Sequence, residues 1–109
     1  MLSLGVDQLK AFAAAQPQTL LLDVREPWEV ELARIDLPGM TTLHIPMDDI
    51  AERVHELDAA QPVVCICHHG MRSAQVVAFL QRRGHLRVYN LAGGLDAWST
   101  HVDPAVARY

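Results

Sequence analysis

The sequence predicts an α/β fold, a sheet covered on both sides by helices, and three observations predict it. Short apolar runs of strand length alternate with stretches whose apolar residues recur at helical spacing. The run Pro62-Val63-Val64-Cys65-Ile66-Cys67 is apolar throughout, with none of the polar alternation of a half-solvated strand, which suits burial on both faces as in parallel sheets. The links between segments are short, and strands joined in this way through helices make right-handed crossovers.

Residues 2–4 suit a short edge strand, followed by a helix over 6–15 in which Leu9, Phe12 and Ala13 share a face and which Gln16-Pro17 ends. Residues 19–24 read as a buried strand. Pro27 is placed for the first position of a short helix bearing Trp28, Val30 and Leu32, and Pro38-Gly39 marks a turn. A strand over 42–45 leads to an amphipathic helix, because Met47, Ile50, Ala51, Val54 and Leu57 recur at helical spacing with acidic residues between them. Residues 63–67 form the central strand, and 74–83 a helix ending at Gly84. Residues 86–91 supply the last strand. Gly93-Gly94 then turn into a short helix in which Trp98 is a core anchor, and the tail over 100–109 packs back on the domain.

Length and composition narrow the function. The 109 residues suit one compact domain spanning 1–109, and with half of them hydrophobic the chain can build a core. A formal charge of −4, with no basic stripe interleaved with aromatics, gives no basis for binding nucleic acid. No apolar stretch approaches the ~20 residues of a membrane span, and the amino terminus lacks the pattern of a secretion signal. Cys65 and Cys67, one residue apart on a strand, are poorly placed to bridge each other, so reduced thiols and a cytoplasmic location are expected.

The chemistry concentrates where the central strand breaks into His68-His69-Gly70-Met71-Arg72-Ser73 and then a helix. This order sets the Cys67 thiol at the carboxyl end of a strand, facing the amino end of a helix, at the mouth of the sheet. Backbone N–H groups curling around the sulfur, the turn that Gly70 permits and the cation of Arg72 all favour a thiolate, which is the nucleophilic form. A buried strand cysteine without chemistry is the plain alternative, and that description fits Cys65, unless it resolves an oxidised Cys67. His68 and His69 either donate to a bound anion through their rings or serve through their backbone. Arg72 acts through its guanidinium or its N–H, or is an ion-paired surface residue. Asp23 and Arg25 end the strand over 19–24 and reach the same rim, Asp23 to accept hydrogen bonds that hold neighbouring loops and Arg25 to steer an anion. A metal set of Cys65, Cys67, His68 and His69 is disfavoured because consecutive histidines diverge. Gly93 and Gly94 lack the spacing of a nucleotide fingerprint.

The Leu22-Asp23-Val24-Arg25-Glu26 stretch, the Cys67 to Ser73 loop and the run from Tyr89 to Trp98, in this order and spacing, resemble the rhodanese family of sulfurtransferases over nearly the whole chain. The resemblance implies a rhodanese-like, five-stranded parallel sheet. It also implies a Cys67 persulfide, formed from a sulfane donor such as thiosulfate or a protein persulfide and discharged to cyanide, a thiol or a carrier protein. Residues 68–73 then cradle the substrate, and no prosthetic group or metal is implied. The two histidines after Cys67 depart from the cationic loops of thiosulfate-preferring members, and residues 34–42 depart from the usual entry to the third strand. A cysteine-dependent phosphatase or arsenate reductase also sets a thiolate before a helix, but that pattern puts five residues between cysteine and arginine where this chain has four. A binding module, or a carrier charged by a desulfurase, is the third alternative.

Overall fold

The computed structural model describes residues 2–109. Five strands, β1 (Ser3–Leu4), β2 (Leu20–Asp23), β3 (Thr41–His44), β4 (Val63–Ile66) and β5 (Val88–Leu91), form one wholly parallel sheet in the order β1-β5-β4-β2-β3. The five principal helices are α1 (Leu9–Ala15), α2 (Pro27–Leu32), α3 (Ile50–Arg53), α4 (Met71–Arg82) and α5 (Gly94–His101). β4 lies at the centre of the sheet and is buried along its length, as its unbroken apolar run requires.

Side chains alternate across the strands, and this period divides the core in two. Leu20, Leu22, Val63, Cys65 and Cys67 face one side with Ile50, Leu57, Val76, Val77 and Leu80, under α3 and α4. Leu21, Val64 and Ile66 face the other side with Leu9, Leu95 and Trp98, under α1 and α5. The tail returns to this second layer through Val102, Val106 and Tyr109, and Trp98 is buried as an anchor of α5.

Several boundaries differ from expectation. The helix over 6–15 opens with a 3-10 turn, Val6–Gln8, and the stretch from Met47 is broken into a 3-10 turn, α3 and a second 3-10 turn. α4 starts at Met71 where residue 74 was expected, so the second half of the cysteine loop is the first turn of the helix. α2 turns its apolar residues outward. Trp28 and Leu32 are 60% and 54% exposed while Glu29 is buried, because its carboxylate has partners inside the fold. Among the described residues no helix is long and apolar enough to cross a membrane.

Candidate active site

The loop after β4 is short because Gly70 can hold φ +99°, where L residues are strained, and α4 begins immediately after it. The Cys67 sulfur accepts hydrogen bonds from the backbone N–H of Gly70 at 3.1 Å and of Ser73 at 3.4 Å, and the Ser73 hydroxyl lies 3.2 Å away. Two backbone donors, a hydroxyl and the amino end of a twelve-residue helix thus converge on one atom, an arrangement of the kind that binds anions. Cys67 stands at the carboxyl end of β4 as expected, but it is only 1% exposed and packs with the apolar layer under α3 and α4. The loop folds over it, since the same amides that hold the sulfur draw the backbone down across it.

Two further contacts fix this cradle. Asn90, on β5, accepts from the Ser73 hydroxyl at 2.5 Å through Oδ1 and donates through Nδ2 to the Gly70 carbonyl at 3.0 Å. The amino end of α5 grips the loop from outside, with Leu95 N–H donating to the Cys67 carbonyl and Asp96 N–H to that of His68. A side chain at Gly94 would prevent this grip, because a Cβ there would lie 2.6 Å from the His68 oxygen.

Cationic groups at the rim are already matched. Arg25, expected to steer an anion, is fully buried: it forms a salt bridge with Asp23 and donates to the carbonyls of Glu29 and Ala33 and to the Tyr109 hydroxyl. Asp23 is correspondingly buried and holds this guanidinium together with the Arg25 N–H. Arg72, expected to supply the thiolate with a cation, is bound bidentately by Glu29 at 2.6 and 2.7 Å. That pairing, with burial working against it, holds the Glu29 carboxyl down to about 2, aided by the Glu26 N–H and the Tyr109 hydroxyl. Burial pushes the Tyr109 phenol up to about 12, so it stays a neutral donor between the two networks.

The His68 and His69 rings do not diverge but stack, with centroids 3.9 Å apart, and Tyr109 stacks on the other face of His68 at 3.9 Å and 8°. Burial, followed by the neighbouring His69, lowers the His68 pKa, so the ring is neutral at physiological pH; its Nε2 is buried without a hydrogen-bond partner. The His68 carbonyl carries a structural bond, whereas the amides that reach the sulfur are those of Gly70 and Ser73. Met71 is 77% exposed beside the loop. Of the residues weighed as a metal set, His68 and His69 have ligand atoms within 4.8 Å of each other and of Asp96, and the cysteines are outside this group. Asp96 is also paired with the exposed Arg108. Cys65 is fully buried, and burial pushes its thiol far up, towards the inert neutral form.

A cysteine sulfur cradled by amides at the carboxyl end of the central strand of a five-stranded parallel sheet narrows the possibilities, and a family model settles the family: that of the rhodanese-like domain matches residues 6–101. The chain belongs to the rhodanese-like domain family. It is similar to a protein named sulfurtransferase from Allochromatium vinosum, 38% identical over 93% of this chain and 91% of that one. A thiosulfate sulfurtransferase from Pseudomonas syringae is 32% identical over 84% and 82% of the two chains. The crystal structure of a rhodanese-related protein from Thermoplasma volcanium superposes over the whole of both chains, with TM-score 0.82 and 28% identity. The rhodanese-like fold, sulfurtransferase relatives and a five-stranded parallel sheet therefore agree.

Sequence reasoning missed Glu29, Asn90 and Tyr109. Glu29 is the third residue of α2, two after Pro27, and completes a capping box with Glu26, a signal for its bond to the Glu26 N–H but not for its partner on α4. Asn90 lies inside an apolar strand, where a lone amide is a signal of a buried partner. Tyr109 carries no local signal, because its neighbours are brought together by the fold.

Proposed function

We propose that this protein is a single-domain, cytosolic sulfurtransferase in which Cys67 carries the sulfur. The Cys67 thiolate attacks the outer sulfur of a sulfane donor, the S–S bond of the donor breaks, and its electron pair leaves with the donor's remainder. With thiosulfate that remainder is sulfite. The Cys67 persulfide then yields its outer sulfur to an acceptor, cyanide giving thiocyanate and a thiol giving a new persulfide, and the thiolate returns. The observation that carries this reading is the convergence of the Gly70 and Ser73 amides and the Ser73 hydroxyl on the sulfur. Donors placed to hold a thiolate also hold the negative charge of a terminal persulfide sulfur, as an oxyanion hole does for oxygen.

The phosphatase alternative lacks its clamp, since four residues separate Cys67 from Arg72 and the guanidinium is turned to Glu29. Intact-mass measurement tests the proposal: incubation with sulfane donors adds one sulfur atom to the wild-type chain and none to Cys67→Ser, and cyanide removes it. Failure of every donor to add sulfur refutes the reading. Charging by a desulfurase alone, without small donors, assigns the carrier role with a protein partner on each side of the transfer.

A further inference from the structure

The guanidinium groups around the mouth of the cradle are each matched by a carboxylate. Arg25 is taken by the buried Asp23, Arg72 by the buried Glu29 and Arg108 by Asp96. The Arg72 pair bears most directly on the reaction, because Arg72 belongs to the cysteine loop and immediately precedes Ser73, whose N–H and hydroxyl lie against the Cys67 sulfur. The Glu29 carboxylate receives four donors, two from Arg72 and one each from the Glu26 N–H and the Tyr109 hydroxyl, so the pair is rigid and desolvated on its Glu29 side. Next to it on α2 and α4, Trp28 and Met71 present exposed apolar surface.

We infer that Glu29 is a specificity-determining residue: by cancelling the charge of Arg72 it turns the site away from a dianionic sulfur donor such as thiosulfate and towards a singly charged donor with an organic body. The inference rests on the sulfur-transfer reading and adds the class of donor to it. A dianion entering beside a chain of net charge −4 gains nothing from a guanidinium already neutralised at 2.6 Å. A monoanion suffers less from that loss, and an organic substituent finds the Trp28 and Met71 surface.

Two donors that break the same kind of S–S bond but differ in charge provide the test. Thiosulfate leaves sulfite, and benzenethiosulfonate, a monoanion, leaves benzenesulfinate when Cys67 takes the outer sulfur. Persulfide formation on the full chain is followed by intact mass and by rate. Wild-type protein favours benzenethiosulfonate in kcat/KM by about tenfold or more, and Glu29→Gln, which frees the Arg72 charge, raises thiosulfate relative to benzenethiosulfonate by roughly tenfold, the lower end of what a focused charge contributes. That gain disappears at high salt. Equal use of the two donors by wild type, or an unchanged ratio in a folded Glu29→Gln, overturns the inference while leaving the Cys67 persulfide intact. Should Glu29→Gln not fold, the wild-type rate with thiosulfate decides: it is flat or rises with ionic strength, and a fall overturns the inference. If neither donor charges Cys67, the sulfur-transfer reading itself fails.

Discussion

The Ser73 hydroxyl sits between two acceptors, 3.2 Å from the Cys67 sulfur and 2.5 Å from Asn90 Oδ1. With a neutral thiol, the hydroxyl donates to Asn90 and the S–H can donate to Oγ; with a thiolate, the hydroxyl proton can turn to sulfur. One rotor thus serves both protonation states, and Asn90 holds its place because its own amide is fixed on the Gly70 carbonyl.

Ser73→Ala therefore removes the hydroxyl donor available to a Cys67 thiolate. A hydrogen bond to a charged group contributes about 1.5–3 kcal/mol, so iodoacetamide should alkylate Cys67 roughly tenfold or more slowly at neutral pH in this variant. An unchanged rate would show that the two backbone amides suffice.

Alkylation of the native chain distinguishes the cysteines. Both are buried, but Cys67 should take one label and Cys65 none, because the Cys67 sulfur is met by the Gly70 and Ser73 N–H groups in a surface loop while burial inside β4 holds the Cys65 thiol neutral. Peptide mapping after limited labelling checks this, and labelling of Cys65 before unfolding would count against the cradle as the source of reactivity.

Arg25 and Asp23 form a buried pair at the carboxyl end of β2. Removing one partner strands the other, so Arg25→Ala should destabilise the fold by about 3–5 kcal/mol, read from denaturant midpoints. Arg25→Lys should not restore it, since an ammonium cannot reach Asp23, two carbonyls and Tyr109 in one plane.

The Glu29–Arg72 pair gives stability a pH signature. The Glu29 carboxyl is lowered from 4.5 to about 2 in the fold, so between these values the unfolded chain binds the extra proton and stability rises with pH. The contribution is complete above the unfolded value and is lost as pH falls towards about 2. Urea midpoints of wild type and Glu29→Gln should differ by a constant amount from neutrality to about pH 5 and converge below it. Parallel curves over the whole range would remove Glu29 as the source.

Gly94→Ala tests the grip of α5 on the loop. Gly94 has φ +57°, and the added Cβ would lie 2.6 Å from the His68 carbonyl. The chain must then shift at the loop or at α5, at a cost of about 1–3 kcal/mol. A lower melting temperature together with slower Cys67 alkylation is expected, since the displaced loop carries the Gly70 and Ser73 amides with it.

Much of the architecture follows from local pattern. The apolar run at 63–67 places β4 at the centre, and the glycine after the two histidines places the turn. Boundaries slipped at two places: α4 begins three residues early, capped by Gly70 with Ala74 N–H bonding the Gly70 carbonyl, which leaves the first-turn Ser73 N–H free for the Cys67 sulfur, and the stretch after Met47 breaks into short turns despite helical spacing. The exposed Trp28 and buried Glu29 invert what hydrophobicity alone implies for α2.

What the sequence by itself determined is the α/β class and the placement of Cys67 between a strand and a helix, because strand and helix periods and a strand-loop-helix junction are local properties of the chain. Only the tertiary structure decided the charge state of the rim and the enclosure of the sulfur. Arg72 meets Glu29 from 43 residues away, Tyr109 meets His68 across the fold, and Asn90 reaches Ser73 from a neighbouring strand. Whether a guanidinium attracts an anion depends on which carboxylate faces it, and that partner is set by how helices pack on a sheet.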